Sequence, residues 1–378
     1  MYIPRLISKQ IIDKLNTSNK GIIIYGARQV GKTTLARQIV NCLKLKTLVV
    51  NADEQKYINV FSSRDLNKMK SLVAGYDLLI IDEAQRIQDI GINLKILIDN
   101  LPGLKIIATG SSSFDLANKI AEPLTGRVWT YRLYPLAICE LKNVSSAFEI
   151  DNKLEERLIY GSYPEVYTTI SIKQKKELLE EISRSYLYKD VLHLVTIKHI
   201  NKINDLLKLL AFQIGSEVSI QELSAQLDMS RGAVDRYIDL LEKSFILFRL
   251  KGFSRNLRKE VSKMDKIYFY DNGIRNVIID NLKPLKDRSD TGQLWENFLI
   301  IERQKYAEYK RTYAMPYFWR TYTGAELDYV EECENRLYGY EFKFSATKEK
   351  APHSWMENYP KAEYKCINKD SYLNFVSD

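Results

Sequence analysis

Short runs of apolar, mostly branched residues recur along the first third of the chain. They lie at 22–25, 47–50, 77–81, 105–109 and 128–133. Each of the first four is separated from the next by a stretch long enough for a crossover helix, and buried parallel strands have this continuous apolar character. The pattern therefore predicts an α/β domain with a parallel sheet over residues 1–136.

The pattern changes to a helical period after this first domain. Residues 137–215 are rich in Leu, Ile, Lys and Glu at helical spacing, so we expect a helical segment there. Residues 216–262 predict a winged helix-turn-helix, with a turn at 228–230 between two short helices and an apolar strand afterwards. Residues 263–378 mix one long helix with aromatic strands, which predicts an α+β domain.

Composition sets only broad limits on the class of protein. A chain of 378 residues has room for two to four domains, and its net charge of +8 is compatible with a nucleic-acid partner or with ordinary solvation. The four cysteines and three histidines are scattered, which argues against a zinc site and a disulfide framework. The chain start has no apolar signal region and no apolar run reaches membrane length, so we expect a cytoplasmic protein with no membrane partner.

A glycine-rich loop follows the first predicted strand and precedes a predicted helix at 31–41. It fits GxxxxGK[ST] in the strand–loop–helix context in which that pattern binds phosphate. Glycines let the backbone wrap around phosphate, and the helix N-terminus favours the anion. The expected nucleotide contacts are Gly26, Ala27, Arg28, Gln29, Val30, Gly31, Lys32, Thr33 and Thr34.

Two of these residues have specific expected roles. Lys32 should reach the β- and γ-phosphates of ATP and act in catalysis, and the Thr33 hydroxyl should ligate Mg²⁺. Arg28, inside the loop, is a further candidate for a phosphate contact. The loop therefore predicts ATP and Mg²⁺ as cofactors.

Two adjacent carboxylates follow the third predicted strand. Asp82 is expected to hold Mg²⁺, directly or through water, and Glu83 is expected to orient the attacking water. Taken alone, two acidic residues after a strand are also compatible with a solvated strand end. Their position after a phosphate-binding loop favours a hydrolytic site.

Polar residues end the fourth predicted strand, beside the carboxylates. Thr109 and Ser111 are the candidates for a sensor of the γ-phosphate, and a Gly-Ser turn that caps a helix at 114–120 is the alternative. Arg127 precedes the fifth strand and is the candidate arginine finger, acting in the same chain or from a neighbour. A structural ion pair is the alternative for Arg127.

The chain resembles a known family at strings spread over nearly its whole length. They are IPR at 3–5, GARQVGKTTL, LLIIDEAQ, ATGSSSFDL, GR at 126–127, YPLAICEL, GSYPEV, YLYKDV, FSRNLRKE, KIYFYDNGIRN and LWENFL. The resemblance is to prokaryotic AAA+-like P-loop ATPases with a C-terminal restriction-endonuclease-like domain of unknown function. It implies an AAA+-like core, a helical lid at 137–215, a winged helix and a nuclease-like end. By the same resemblance, residues 3–5 border the nucleotide base, although a strand or cap explains them equally well.

The C-terminal region contains a D…ExK pattern, which is typical of restriction-endonuclease-like folds. Asp328 and Glu341 would lie on neighbouring strands and hold Mg²⁺, Lys343 would face the same side, and Glu296 on the preceding helix would complete the metal shell. The pattern is short and degenerate. An inactive binding module is therefore the alternative to a nuclease.

Two segments are candidates for a DNA contact. The exposed positions of the second short helix, Arg231, Asp235, Arg236 and Asp239, form a nearly neutral set, so protein contact is as good an interpretation. A basic run is a better electrostatic footprint, although such runs are usually solvated faces. Its residues are Arg255, Arg258, Lys259, Lys263 and Lys266.

The sequence thus predicts an ATPase that hydrolyses ATP with Mg²⁺ and couples hydrolysis to rearrangement of its C-terminal modules. DNA is a candidate partner and a homo-oligomer a candidate assembly. Two alternatives stay open. One is an ATP-gated, metal-dependent nuclease, and the other is a non-hydrolysing nucleotide switch that binds a protein partner.

Overall fold

The computed structural model describes residues 2–111, 123–185, 200–255, 265–345 and 350–377. Its first layer is a five-stranded, all-parallel sheet in the order β2-β3-β4-β1-β5. The strands are β1 (Gly21–Tyr25), β2 (Thr47–Asn51), β3 (Leu78–Asp82), β4 (Lys105–Gly110) and β5 (Val128–Arg132). The predicted parallel α/β domain is confirmed, with each strand within a residue or so of its predicted bounds.

The burial of the strands explains why the sequence pattern is continuous rather than alternating. Every residue of β1 is buried, and so are the first four residues of β3, because both strands lie inside the sheet. The edge strands β2 and β5 are only partly buried. Apolar side chains are therefore needed on both faces of the inner strands.

Within the described residues of this domain, five helices accompany the sheet. They are α1 (Ile7–Thr17), α2 (Lys32–Leu43), α3 (Gln55–Phe61), α4 (Leu66–Val73) and α5 (Ile90–Asn100). Helix α1 buries Ile7, Ile11 and Leu15, which recur every four residues on one face. Helix α4 begins where the Asp65 side chain accepts hydrogen bonds from the next turn's backbone N–H groups.

A helical region follows, as the sequence predicts. Its described helices are α6 (Ile138–Leu141), α7 (Ala147–Asn152), α8 (Leu154–Tyr160), α9 (Pro164–Thr168), α10 (Ile172–Ser185) and α11 (Ile200–Phe212). Two short helices come next, α12 (Ile220–Gln226) and α13 (Arg231–Lys243), and Ser219 and Ser230 cap their first turns. Strands β6 (Leu247–Leu250) and β7 (Lys266–Phe269) then pair antiparallel.

The C-terminal part contains a second sheet in the order β11-β10-β9-β8. Helix α14 (Asn272–Ile278) and the long α15 (Thr291–Lys310) precede β8 (Met315–Arg320), β9 (Glu326–Cys333) and β10 (Arg336–Phe342). These three strands are antiparallel, whereas β11 (Glu363–Ile367) runs parallel to β10 after α16 (His353–Asn358). Helix α17 (Tyr372–Ser377) ends the described chain.

Helix α15 contacts all the main parts of the molecule. Its Tyr309 hydroxyl accepts a hydrogen bond from Tyr134, directly after the first sheet. Its buried Glu302 binds Arg157 of α8 at 3.1 Å, and its Arg303 binds Glu331 of β9 at 2.8 Å. The two sheets are therefore joined through one long, largely buried helix.

No helix within the described ranges is long and apolar enough to cross a membrane.

Candidate nucleotide site and C-terminal acidic cluster

The loop between β1 and α2 needs glycine at two positions. A Cβ atom on Gly26 would lie 2.2 Å from the Leu133 carbonyl oxygen, a distance that real contacts do not reach. Leu133 is fixed there because its N–H donates to the Tyr25 carbonyl at 2.7 Å. Gly31 has φ +97°, which side chains disfavour. The loop shape is therefore set by β1 and by the end of β5.

Lys32 lies inside the loop and is 5 % exposed. Its Nζ donates to the carbonyl oxygens of Gly26 and Ala27, both at 2.8 Å. An ammonium group held at the centre of a loop that also presents backbone N–H groups is suited to bind an anion. The contact of Lys32 with phosphate stays a prediction, which this position inside the loop favours.

Asp82 at the end of β3 brings the loop and the sheet together. Its Oδ2 accepts a hydrogen bond from Thr33 Oγ1 at 2.7 Å, and its Oδ1 accepts one from Thr109 Oγ1. The contact arises because β4 lies between β1 and β3, so all three carboxyl ends share one edge of the sheet. Thr109 therefore contacts the site directly, while Ser111 lies buried just beyond β4.

Glu83 follows Asp82 in an uncommon backbone conformation. Its φ is +54°, in the left-handed region where non-glycine residues are infrequent. Gln85 Nε2 donates to the Glu83 carboxylate and fixes its direction. Sequence reasoning missed Gln85, and the only available signal was its position two residues after the acidic pair.

Arg127 lies at the wrong edge of the sheet for a phosphate contact in the same chain. Strands β1 and β5 are parallel, with Gly21 beside Val128 at one end and Tyr25 beside Arg132 at the other. The glycine loop follows Tyr25, whereas Arg127 precedes Val128 at the opposite end. Five residues of strand separate the two edges by about 15 Å. Arg127 Nε instead donates to Asp99 at 2.8 and 3.1 Å. A catalytic role for Arg127 in cis is therefore wrong, and an arginine supplied by a neighbouring chain stays a prediction.

Arg5 supports the loop from behind. It is 6 % exposed, and its Nη1 donates to the Val30 carbonyl at 2.8 Å. Its Nη2 donates to the Tyr134 carbonyl at 2.6 Å and to the Tyr309 hydroxyl at 3.2 Å. Burial alone would lower the pKa of Arg5, but the Glu140 carboxylate at 2.9 Å and the Tyr309 hydroxyl raise it. Arg5 is thus a charged support of the loop backbone.

The C-terminal carboxylates predicted as a group do lie near one another. Burial, followed by the charges of Glu296 and Glu341, raises the pKa of Asp328 well above its usual range. Asp328 Oδ2 accepts a hydrogen bond from the Phe342 backbone N–H at 2.7 Å. Lys343 Nζ donates to Glu341 Oε1 at 2.8 Å. The helix α15 and strands β9 and β10 therefore bring the D…ExK residues to one place.

These carboxylates do not form a ready metal shell. Within the part of the chain that the structure describes, no group of three or more His, Cys, Asp or Glu side chains is placed to hold a metal ion. Lys266 Nζ lies 3.6 Å from Glu296, and the Tyr268 hydroxyl donates to the same carboxylate. A metal site at Glu296, Asp328 and Glu341 therefore stays a prediction, which the donors already in contact with these carboxylates do not favour.

Several of the residues predicted as DNA contacts are paired or buried in the structure. Arg249 on β6 binds Asp235 at 2.8 Å and Asp239 as well, so the acidic residues of α13 are paired, while Arg231 and Arg236 are exposed. Lys266 is buried, so its side chain does not form part of an exposed basic surface. Of the other residues in the basic run, Arg255 lies over the Tyr359 ring. Arg258, Lys259 and Lys263 lie outside the described residues.

The first sheet, its glycine loop and the Asp82 contacts have the arrangement of a P-loop site. Residues 18–142 match the family described as an AAA domain. Residues 151–285 and 291–373 match two families described as domains of unknown function, DUF8612 and DUF4143. The first of these matches covers all five strands of the parallel sheet and the glycine loop.

Relatives cover most of the chain. Uncharacterized protein Mb2031c of Mycobacterium bovis is 28% identical over 334 residues, covering 86% of this chain and 70% of the relative. Uncharacterized protein MJ1544 of Methanocaldococcus jannaschii is 28% identical over 320 residues, covering 80% of this chain and 70% of the relative. Both relatives are aligned over at least 80% of this chain, so the similarity extends beyond the AAA-domain match.

Solved structures give weaker likenesses. The Walker-type ATPase PABY2304 of Pyrococcus abyssi is 14% identical, with a TM-score of 0.48, covering 72% of this chain and 94% of its own. AMPPCP-bound DnaA from Aquifex aeolicus is 16% identical, with a TM-score of 0.32, covering 63% of this chain and 86% of its own. Likenesses at this level do not transfer a function.

Proposed function

We propose that the chain binds ATP with Mg²⁺ and hydrolyses it at the edge of the first sheet. The observation that carries this proposal is the double contact of Asp82 with Thr33 and Thr109. A hydroxyl and a carboxylate 2.7 Å apart offer two oxygen ligands of the kind that Mg²⁺ prefers. Thr33 and Asp82 would hold the ion, which in turn would neutralise charge on the phosphate oxygens.

The remaining roles follow from the same geometry. Lys32 would exchange its carbonyl partners for phosphate oxygens, and the N-terminus of α2 would add favourable electrostatics. Glu83, held by Gln85, would accept a proton from the attacking water or orient it. Thr109 would couple a movement of the Asp82 carboxylate to β4 through their hydrogen bond. These groups act by positioning and electrostatics, which dominate phosphoryl transfer.

We further propose that hydrolysis is coupled to two C-terminal modules. Helices α11 to α13 followed by the β6–β7 pair have the element order of a winged helix. Helix α15, strands β8 to β10, helix α16 and strand β11 have an α-β-β-β-α-β order, which supports a restriction-endonuclease-like fold. Helix α15 offers the route of coupling, since Tyr309 contacts Arg5 and Arg303 contacts β9. DNA remains the candidate partner.

The test is phosphate release by the purified chain with ATP and Mg²⁺, with and without duplex DNA. Lys32→Ala should abolish release and weaken ATP binding, whereas Glu83→Gln should retain ATP and lose release. Glu177→Gln, on an exposed face of α10, is the matched control and should behave as the wild type. Unchanged release by Glu83→Gln would refute the hydrolytic assignment and favour the nucleotide-switch alternative.

The nuclease alternative has its own test. The proximity of Asp328, Glu341 and Lys343 favours it, and the absence of a ready metal shell in the described residues opposes it. Cleavage of supercoiled and linear DNA should be assayed with Mg²⁺ and with Mn²⁺, in the presence and absence of ATP. Cleavage that Glu341→Gln abolishes would establish a nuclease. No cleavage on any substrate would leave the module as a binding domain.

A further inference from the structure

Lys266 is the first residue of β7, and its side chain points into the C-terminal acidic cluster. We use this name for Glu296, Glu326, Asp328 and Glu341. Lys266 is 3 % exposed, so its ammonium group has little access to solvent. A buried lysine is costly unless its charge is paired. The carboxylates around it supply that pairing.

The contacts of the ammonium group are specific. Lys266 Nζ lies 2.5 Å from Glu326 Oε1 and 3.6 Å from Glu296 Oε1. It also lies 5.3 Å from the centre of the Phe318 ring, within the range of a cation–π contact. Burial would lower the pKa of Lys266, but the charges of Glu296, Glu326 and Asp328 raise it above its ordinary value. The lysine is therefore a charged partner of carboxylates from both α15 and β9.

The backbone holds Lys266 in this position. The Asn297 side chain of α15 accepts a hydrogen bond from the Phe269 N–H at 2.7 Å and donates one to the Phe269 carbonyl at 3.0 Å. Strand β7 is thus fixed to the same helix that carries Glu296. The Tyr268 hydroxyl, on the same strand, donates to Glu296. The strand and the acidic cluster form one packed unit.

A divalent ion and this ammonium group compete for the same carboxylates. Mg²⁺ requires near-octahedral oxygen ligands at about 2.0–2.1 Å. Each carboxylate oxygen that contacts the ammonium group has less acceptor capacity left for an ion, and the ammonium charge offsets the negative charge that would attract one. Two cations a few ångströms apart in a buried site also repel each other strongly.

We propose that Lys266 is a tethered cation that takes the place of a divalent metal ion in the acidic cluster. The C-terminal sheet of this chain is then metal-independent, and the side chains of Lys266 and Lys343 pair three carboxylates of the cluster, those of Glu296, Glu326 and Glu341. This inference rests on the contacts of Lys266 and not on ATP hydrolysis. Its test is therefore independent of the test of the proposed function.

The experiment measures Mn²⁺ binding by electron paramagnetic resonance on the full chain without nucleotide. The wild type should show no saturable site that depends on the acidic cluster. Lys266→Met should gain Mn²⁺ affinity by about tenfold or more, because one buried positive charge is removed. The double variant Lys266→Met/Glu296→Gln should lose the gain, which would locate the ion in the cluster.

Two controls keep the outcome decisive. Lys365→Met, an exposed lysine of β11 in the same sheet, removes the same charge and should leave Mn²⁺ binding unchanged. Should Lys266→Met be less stable than the wild type without metal, Mn²⁺ should raise the melting temperature of Lys266→Met and should not raise that of Lys266→Arg. A wild-type chain that binds Mn²⁺ as tightly as Lys266→Met, with loss in Glu296→Gln, would overturn the proposal. So would a folded Lys266→Met variant with no gain.

Discussion

Arg5 and Tyr309 are in contact although they lie near opposite ends of the chain. The Arg5 guanidinium donates to the Tyr309 hydroxyl at 3.2 Å and to the Val30 carbonyl of the glycine loop at 2.8 Å. The hydroxyl in turn accepts from the Tyr134 N–H at 3.1 Å. One buried cation therefore joins the phosphate loop to helix α15.

Removing this cation should unfold part of the junction and weaken nucleotide binding. Arg5→Ala leaves the Glu140 carboxylate buried without its ion pair, which is expected to cost about 3–5 kcal/mol of unfolding free energy. Tyr309→Phe removes only a hydroxyl and should cost about 1 kcal/mol. Chemical denaturation and ATP titration of both variants check the order. Equal effects would show that Arg5 acts mainly through Tyr309.

Thr109 should matter for hydrolysis more than for stability. Thr109→Val keeps the shape of the side chain but removes the hydrogen bond to the Asp82 carboxylate. Hydrogen bonds to charged groups are worth about 1.5–3 kcal/mol, and the same amount lost from the transition state would slow phosphate release by roughly ten- to a hundredfold. Thr109→Ser keeps a hydroxyl and should restore much of the rate. Unchanged phosphate release by Thr109→Val would show that the Thr109 hydroxyl has no role in hydrolysis.

Arg127 should be dispensable in a dilute, isolated chain. Its partner Asp99 lies on α5, at the sheet edge opposite the glycine loop. Arg127→Ala breaks a partly exposed ion pair, so its cost should not exceed about 1 kcal/mol. Asp99→Asn is the matched variant and should cost the same. Phosphate release should be measured over a range of protein concentrations. A loss for Arg127→Ala alone, seen only at high concentration, would reveal a contribution from a neighbouring chain.

Asp271 should make stability depend on pH. Burial raises its pKa from 3.8 to about 6, although backbone N–H groups of Ser162 and Ile274 bind the carboxylate. Between these two values the unfolded chain has released a proton that the folded chain still holds. The contribution of Asp271 is therefore full below pH 4 and is lost as pH rises through 6, by about 3 kcal/mol in total.

The measurement is the free energy of unfolding from pH 4 to pH 7. Asp271→Asn cannot titrate, so this variant should lose the component of the slope between pH 4 and 6. The absolute stability of the variant is a poor guide, because the amide cannot reproduce both hydrogen bonds. A slope identical to that of the wild type would show that Asp271 is ionised throughout.

The parallel sheet and the nucleotide site could be predicted from the sequence because their signals are local. Inner strands need continuous apolar runs, and the glycine loop needs its residue types at fixed spacing. The contact between Thr33 and Asp82 follows because the carboxyl ends of β1 and β3 lie at the same edge of the sheet. Sequence reasoning could not choose between Thr109 and Ser111, since that choice depends on the position of β4 beside Asp82.

The sequence predictions that the structure does not support concern residues whose positions depend on contacts between distant elements. The position of Arg127 depends on the register of β5 against β1, which no local pattern records. Lys266 looked like part of a basic surface because its neighbours in sequence are basic, but β7 turns its side chain into the carboxylates. Arg5 stood in a short motif with no charge partner nearby in sequence, and Glu140 and Tyr309 come from distant elements.

The length of helix α15 allows it to transmit movement between its two ends. Tyr309 and Glu296 are thirteen residues apart on one helix, which corresponds to about 20 Å. A rigid rod of that length, tilted by about 5° at its Tyr309 end, shifts its Glu296 end by nearly 2 Å. Since Asn297 fastens β7 to the rod, Lys266 travels with Glu296. A small tilt at the phosphate-loop end of α15 would then displace Glu296 and Lys266 together, with the contact between them kept.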